Sequence, residues 1–165
     1  MQCMEEDNLR DDYMVVYEGI FFDEENVKKL LEYEKEPLEK VIDYIHITFK
    51  FKPSYEEIFN DIVGKFFEIK IIGYACDGKN SGFEIEIPHD LKKYYIHHEY
   101  KNRNIPIIPH ITTSISLDSK PVNTKNLEFI PLEKPVMIKG RFGYWINDNG
   151  EEYLSFEKYS NRCKW

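Results

Sequence analysis

The tripeptide His-Ile-Thr occurs twice in the chain, as His46-Ile47-Thr48 and as His110-Ile111-Thr112. Each copy lies in a stretch of alternating apolar and polar residues, which predicts a strand. Side chains two positions apart in a strand point to the same face. Each histidine therefore shares a face with its threonine, and each isoleucine points to the opposite, buried side.

Two imidazoles and two hydroxyls in one cleft can hydrolyse a phosphodiester without a metal ion. One neutral imidazole takes a proton from the attacking water, and the other, as imidazolium, gives a proton to the leaving oxygen. The hydroxyls donate hydrogen bonds to the non-bridging phosphate oxygens as charge develops there. This chemistry requires His46 and His110 to flank one phosphate, so we expect their side chains within about 10 Å of each other.

The paired motifs resemble the two H-x-T/S signatures of the 2H phosphoesterase superfamily. The resemblance implies an α+β domain with a bilobal fold, in which two antiparallel sheets are related by a pseudo-two-fold axis, with helices outside and the active cleft between. It implies that His46 and His110 are the acid–base pair and that Thr48 and Thr112 bind the phosphate. Family members open 2′,3′-cyclic phosphates, hydrolyse RNA termini or 2′-5′ linkages, or cleave cyclic nucleotides.

Three further residues are candidates for binding the substrate. Alternation along the strand places Lys50 and Tyr44 on the face of His46, where an ammonium can meet phosphate and a ring can stack on a base. Alternation also places Ser114 on the face of His110. The aromatic residues that either stack on a base or belong to the core are Tyr74, Tyr94, Tyr95, Tyr144 and Trp145.

Two other patterns have plainer explanations. The turn around Lys79 could meet a phosphate, but it lacks the length and the helix of a phosphate-binding loop and is typical of a hairpin. His89, His97 and His98 could join His110 in a metal site, but their spacing matches no tight zinc pattern. We therefore expect no metal and no cofactor.

Strand and helix signals surround the motifs. After a polar lead-in at residues 1–12, β-branched and aromatic residues predict a strand over Tyr13–Phe22. Asp23 is typical of a helix N-cap, and Pro37 limits the length of that helix. Ser54 and Glu57 form a capping-box pattern, which predicts a second helix that ends at Gly64; further strands are predicted over 43–51, 65–76, 82–87 and 107–116, with a hairpin turn at 147–150.

Composition predicts one globular domain over residues 1–165 with a small or short ligand. The chain is 42% hydrophobic and 15% aromatic, enough for a sizeable core. Its net charge is −8, and the first 43 residues, with fourteen acids and five bases, hold a local −9. Proteins that bind long duplex nucleic acid show a basic face, which is not visible here. The expected partner is a nucleotide, a cyclic nucleotide or a short RNA end.

Cysteine usage and hydropathy indicate a cytoplasmic protein, which we expect to be a monomer. Three cysteines, Cys3, Cys76 and Cys163, cannot all pair, which favours a reducing compartment. The sequence shows no run of about 18 apolar residues, and its first residues are acidic and polar, which argues against a membrane span and a signal peptide.

Three kinds of function follow from these patterns. The first is a metal-independent phosphodiesterase that hydrolyses 2′,3′-cyclic phosphates. The alternative within this class is a hydrolase of small cyclic nucleotide or oligonucleotide signals. The second is a non-catalytic module that binds nucleotides or RNA ends, and the third is an interaction domain with coincidental motifs. The presence of both complete motifs favours the enzyme.

Overall fold

The protein is an α+β domain dominated by antiparallel strands. The computed structural model describes residues 13–95 and 108–160. Within them lies one α-helix, α1 (Glu24–Leu31), together with short 3₁₀ turns. The strands are β1 (Tyr13–Phe22), β2 (Lys40–Val41), β3 (His46–Phe51), β4 (Phe66–Cys76), β5 (Asn80–Glu86), β6 (His110–Ile115), β7 (Ile130–Asp148) and β8 (Glu151–Ser155).

All eight strands belong to one sheet, in the order β1-β3-β6-β5-β4-β7-β8, with β2 on β6. The strand β7 also pairs with β1, so six of the strands close into a ring. The N-terminal part of β7 pairs with β4 and its C-terminal part with β1. The resemblance implies two sheets, whereas the strands form one continuous sheet. Within it, β3 and β6 pair at one residue position.

The apolar face predicted for each motif strand is buried. Ile47 and Ile111 are both 0% exposed, and they pack in a cluster with Ile20, Phe83 and Phe142. Alternation of buried and partly exposed residues along β3 and β6 leaves the histidines and threonines on the other face. The core thus fixes the backbone that carries the motifs.

The first strand, the first helix and the two hairpins are confirmed. Strand β1 spans the predicted residues, and Asp23 accepts a hydrogen bond from the Asn26 backbone N–H as the N-cap of α1. Strands β4 and β5 form the predicted hairpin, and β7 and β8 form the last one. Asn149 and Gly150 adopt positive φ in that last turn, as a tight hairpin requires.

The helix predicted to start at Ser54 is wrong beyond its first turn. The capping box is present, with the Ser54 N–H donating to Glu57 Oε1 at 2.8 Å, but only a 3₁₀ turn over Tyr55–Glu57 follows. The Phe59 N–H then donates to Glu18 Oε1 of β1 at 3.3 Å, where an α-helix would direct it to a carbonyl four residues back. A buried acceptor in the core replaces the local helical one.

Candidate active site

The two His-Ile-Thr motifs lie side by side on neighbouring antiparallel strands. Ile47 of β3 pairs with Ile111 of β6. This register places Thr112 beside His46, and Thr48 beside His110, on the face opposite the isoleucines. The two histidines are then diagonal neighbours, which in an antiparallel sheet are about 7–8 Å apart.

Both imidazoles are held in the same way. Nδ1 of His46 lies 2.7 Å from the Tyr44 carbonyl oxygen, and Nδ1 of His110 lies 2.7 Å from the Ile108 carbonyl oxygen. A carbonyl only accepts, so each Nδ1 carries the proton and each Nε2 of the neutral ring is an acceptor. Nε2 of His46 lies 3.0 Å from the Thr48 hydroxyl, which donates to it. Each ring therefore presents a basic nitrogen to the motif face.

Burial favours the neutral form of both rings. Loss of solvent lowers the pKa of His46 to about 4, against the opposing effect of the Tyr44 carbonyl, and the charge of His110 lowers it further. Burial likewise lowers the pKa of His110, opposed by the Ile108 carbonyl. Because the two rings influence each other, at most one of them is favoured as an imidazolium at a time. A bound phosphate anion would raise both pKa values.

The strands that flank the two motifs repeat one pattern of pairing. On β1, Phe21, Ile20 and Gly19 pair with His46, Ile47 and Thr48. On β5, Glu84, Phe83 and Gly82 pair with His110, Ile111 and Thr112 in the same order. In both cases the register shifts immediately beyond the glycine. The two halves of the site are therefore built by equivalent local arrangements.

A glycine beside each motif threonine allows close approach of the backbone. A Cβ on Gly19 would stand 1.8 Å from the Ile47 carbonyl oxygen, and one on Gly82 would stand 2.4 Å from the Ile111 carbonyl oxygen. Real Cβ atoms do not approach so closely, so neither position accepts a side chain without movement of a strand. Glycine inside an apolar strand was the available sequence signal for these two positions.

Aromatic rings surround His46. Tyr17 stacks on its imidazole with centroids 4.6 Å apart, and Phe21 stacks at 5.3 Å. Trp145 lies 6.1 Å from Tyr17 and 4.7 Å from Tyr44. Tyr44 is 51% exposed, so its ring is available at the rim of the site. Sequence reasoning missed Tyr17 and Phe21, because they come from a strand distant in sequence.

Polar residues surround the second motif. The Thr112 hydroxyl lies 2.8 Å from Thr124 Oγ1, which also accepts a hydrogen bond from the Asn80 side chain at 3.0 Å. Glu84 pairs with His110 across the strands, and burial raises the pKa of its carboxyl group. The His46 half is thus walled by rings and the His110 half by hydrogen-bonding groups.

Two of the predicted substrate-binding residues have their side chains engaged elsewhere. The Lys50 ammonium lies 3.9 Å from Glu57. The Ser114 hydroxyl donates to Glu34 at 2.8 Å, as does that of Thr113 at 2.5 Å. Adjacent residues reach the same carboxylate because the register of β6 shifts at this point, which interrupts the alternation that placed Ser114 beside His110.

The other aromatic candidates divide between core and site. Tyr74, Tyr94, Tyr95 and Tyr144 are buried.

Lys79 lies in the β4–β5 turn, with its ammonium 3.9 Å from Asp118. His89 is exposed, and His97 and His98 lie outside the described residues. Among residues 13–95 and 108–160, no group of three or more His, Cys, Asp or Glu side chains is arranged to hold a metal ion.

Comparison with known proteins adds no assignment. No protein-family model and no curated protein matches the chain. In the same described part of the chain, no helix is long and apolar enough to cross a membrane.

Proposed function

We propose that the protein is a metal-independent phosphodiesterase of the 2H type, with the pseudo-two-fold, two-lobed organisation of that superfamily. The substrate class is a cyclic or 2′-linked phosphodiester of a nucleotide or RNA end. The observation that carries the proposal is the Ile47–Ile111 pairing, which sets the two H-x-T motifs antiparallel on one face. The matching registers of the β1–β3 and β5–β6 pairs support it.

The reaction divides between the two rings. Water attacks phosphorus, and Nε2 of one imidazole takes its proton. The bond from phosphorus to the 2′ or 3′ oxygen breaks, and the other ring, as imidazolium, gives its Nε2 proton to that oxygen. Burial lowers the pKa of His46 to about 4, which favours its neutral form, so we assign His46 as the base and His110 as the acid. The Thr48 and Thr112 hydroxyls rotate from their present partners to the non-bridging oxygens.

The surroundings of His46 favour a nucleotide over a simple phosphate ester. Tyr44 and Trp145 present rings at the edge of the site, and aromatic rings stack on bases of any sequence. The protein's net charge of −8 favours a small or short ligand, since long nucleic acids are held by a basic surface. These features suit a mononucleotide, a short RNA end or a cyclic oligonucleotide.

The test is hydrolysis by purified protein in the presence of EDTA. The substrates are 2′,3′-cyclic mononucleotides, 3′,5′-cyclic mononucleotides, 2′-5′ dinucleotides and cyclic dinucleotides, with products separated by chromatography. We expect turnover of at least one of them that EDTA does not reduce. Loss of turnover with EDTA and its recovery with zinc or manganese would replace the proposal with a metal mechanism.

Matched variants connect activity to the site. His46→Ala and His110→Ala should each lower kcat by at least about 100-fold, because each removes a positioned acid or base. His89→Ala is the control, since His89 is an exposed histidine outside the motif strands. Binding of nucleotide without turnover by the unmodified protein would support a non-catalytic binding module instead.

A further inference from the structure

A row of side chains leads from His46 across three more strands. His46 of β3 pairs with Phe21 of β1, Phe21 pairs with Arg141 of β7, and Arg141 pairs with Phe66 of β4. Paired residues in antiparallel strands project from the same face. Strands are about 4.8 Å apart, so Arg141 lies about 10 Å along this row from His46.

Cations and aromatic rings alternate at the far end of the row. The Arg141 guanidinium lies over the Phe156 ring at 4.5 Å and over the Phe66 ring at 5.0 Å. Phe156 in turn contacts Phe21 edge-on at 6.4 Å, which joins this cluster to the ring that stacks on His46. Phe66 is 57% exposed although it is a large apolar side chain.

Arg141 has donors to spare for an anion. Its Nε donates to the Gly64 carbonyl oxygen at 2.9 Å, which orients the guanidinium. The two terminal amino groups remain as donors for an anion. Across residues 13–95 and 108–160, no carboxylate forms an ion pair with it. Lys139, two residues before Arg141 on the same strand, also lies over Phe66, at 5.6 Å, so a second cation stands beside Arg141.

We propose that Arg141 and the exposed Phe66, at the far end of this row, bind a second phosphodiester and its base, so that the substrate is an oligonucleotide rather than a mononucleotide. The inference rests on the proposed function, because the first phosphate lies between the two H-x-T motifs. An arginine stacked between rings binds phosphate through its amino groups, and exposed rings stack on bases. At about 3.4 Å per stacked nucleotide, about three steps cover the distance from His46 to Arg141.

The test compares substrates that differ in length. They are adenosine 2′,3′-cyclic phosphate, a tetraadenylate that ends in a 2′,3′-cyclic phosphate, and a cyclic dinucleotide. We expect Arg141→Gln to raise KM for the tetranucleotide about 10-fold with kcat nearly unchanged, and to leave both constants for the mononucleotide unchanged. Arg141→Lys should not restore KM, because an ammonium lacks the planar fork. An effect on the cyclic dinucleotide without one on the tetranucleotide would overturn the proposal, because the two phosphates of that small ring are too close together to reach both His46 and Arg141.

Two further variants separate binding from folding. Phe66→Leu alters an exposed ring and should raise the same KM several-fold, while Lys92→Gln removes an exposed cation away from the row and should change nothing. Equal losses on all substrates, no loss on any, or the same loss in Lys92→Gln would overturn the proposal.

Failure of the proposed function has a different signature. Anisotropy with a labelled tetraadenylate that has a free 3′ end measures binding without chemistry. If the protein hydrolyses no phosphodiester but binds this probe, and Arg141→Gln weakens the binding, the second binding site stands and the proposed enzymatic function is wrong. Absence of both binding and turnover rejects both.

Discussion

Replacing Gly19 by alanine should push β1 away from β3, the strand that carries the first motif. Its Cβ would stand 1.8 Å from the Ile47 carbonyl oxygen, whereas real contacts below 3.0 Å are essentially absent. Relief therefore requires a shift of at least 1.2 Å (3.0 minus 1.8) between β1 and β3. Strand β1 is also hydrogen-bonded to β7 on its other side, which resists that shift. We expect a loss of about 3 kcal/mol in the free energy of unfolding, at the upper end for overpacked sites.

Two other glycines provide a graded comparison. At Gly82 the nearest backbone atom would be 2.4 Å from the new Cβ, so the required shift is 0.6 Å (3.0 minus 2.4). At Gly73 the nearest atoms are at 3.2 Å, and no atom needs to move beyond a few tenths of an ångström. Urea unfolding should rank the alanine variants Gly19, Gly82 and Gly73 from least to most stable. A Gly19→Ala protein as stable as Gly73→Ala would refute the close approach of β1 to the motif.

Three more outcomes follow from the site and its surroundings. Burial raises the pKa of Glu18 from 4.5 to about 8, so the folded protein favours the protonated carboxyl group. The free energy of unfolding should therefore fall as pH rises from 4.5 to 8. Urea titrations at several pH values should show a weaker dependence of that free energy on pH in Glu18→Gln. The active form has neutral His46 and protonated His110, and burial lowers both pKa values, that of His46 to about 4. We therefore expect kcat/KM to be greatest at acidic pH and to fall toward neutral pH, and a maximum above pH 7 contradicts the assignment. Thr48→Val should lower kcat by about 10- to 100-fold in steady-state assays without lowering the melting temperature by more than a few degrees, since the lost hydroxyl serves the phosphate more than the core.

The sequence predicts where the strands lie along the chain better than it predicts which strands lie side by side in the sheet. Alternation placed Ile47 and Ile111 in the core, and a repeated tripeptide was enough to single out the two histidines. Local signals do not reveal which strand lies beside another, so Tyr17 and Phe21, which contact His46 from β1, were not found. A helix propensity over a few residues was overridden at Phe59 by the buried carboxyl of Glu18.

The register of a sheet also carries information that alternation alone lacks. The shift beyond Gly82 brings the hydroxyls of Thr113 and Ser114 to Glu34, where strict alternation would place them on opposite faces. The same kind of shift beyond Gly19 repeats in the other half, and only the three-dimensional pairing exposes that repetition.

The pairing of β7 with β1 has a consequence for synthesis of the protein. Both motifs are complete once residue 112 has been translated, yet the outer partner of β1 is residues 140–148. Until those residues leave the ribosome, β1 has an open edge and the ring of six strands cannot close. Chains that stop before residue 140 therefore contain both histidines and the two rings of β1 that stack on His46, but they lack Trp145. The surroundings of His46 are therefore completed by a segment that is distant in sequence from β1 and is synthesised after both motifs.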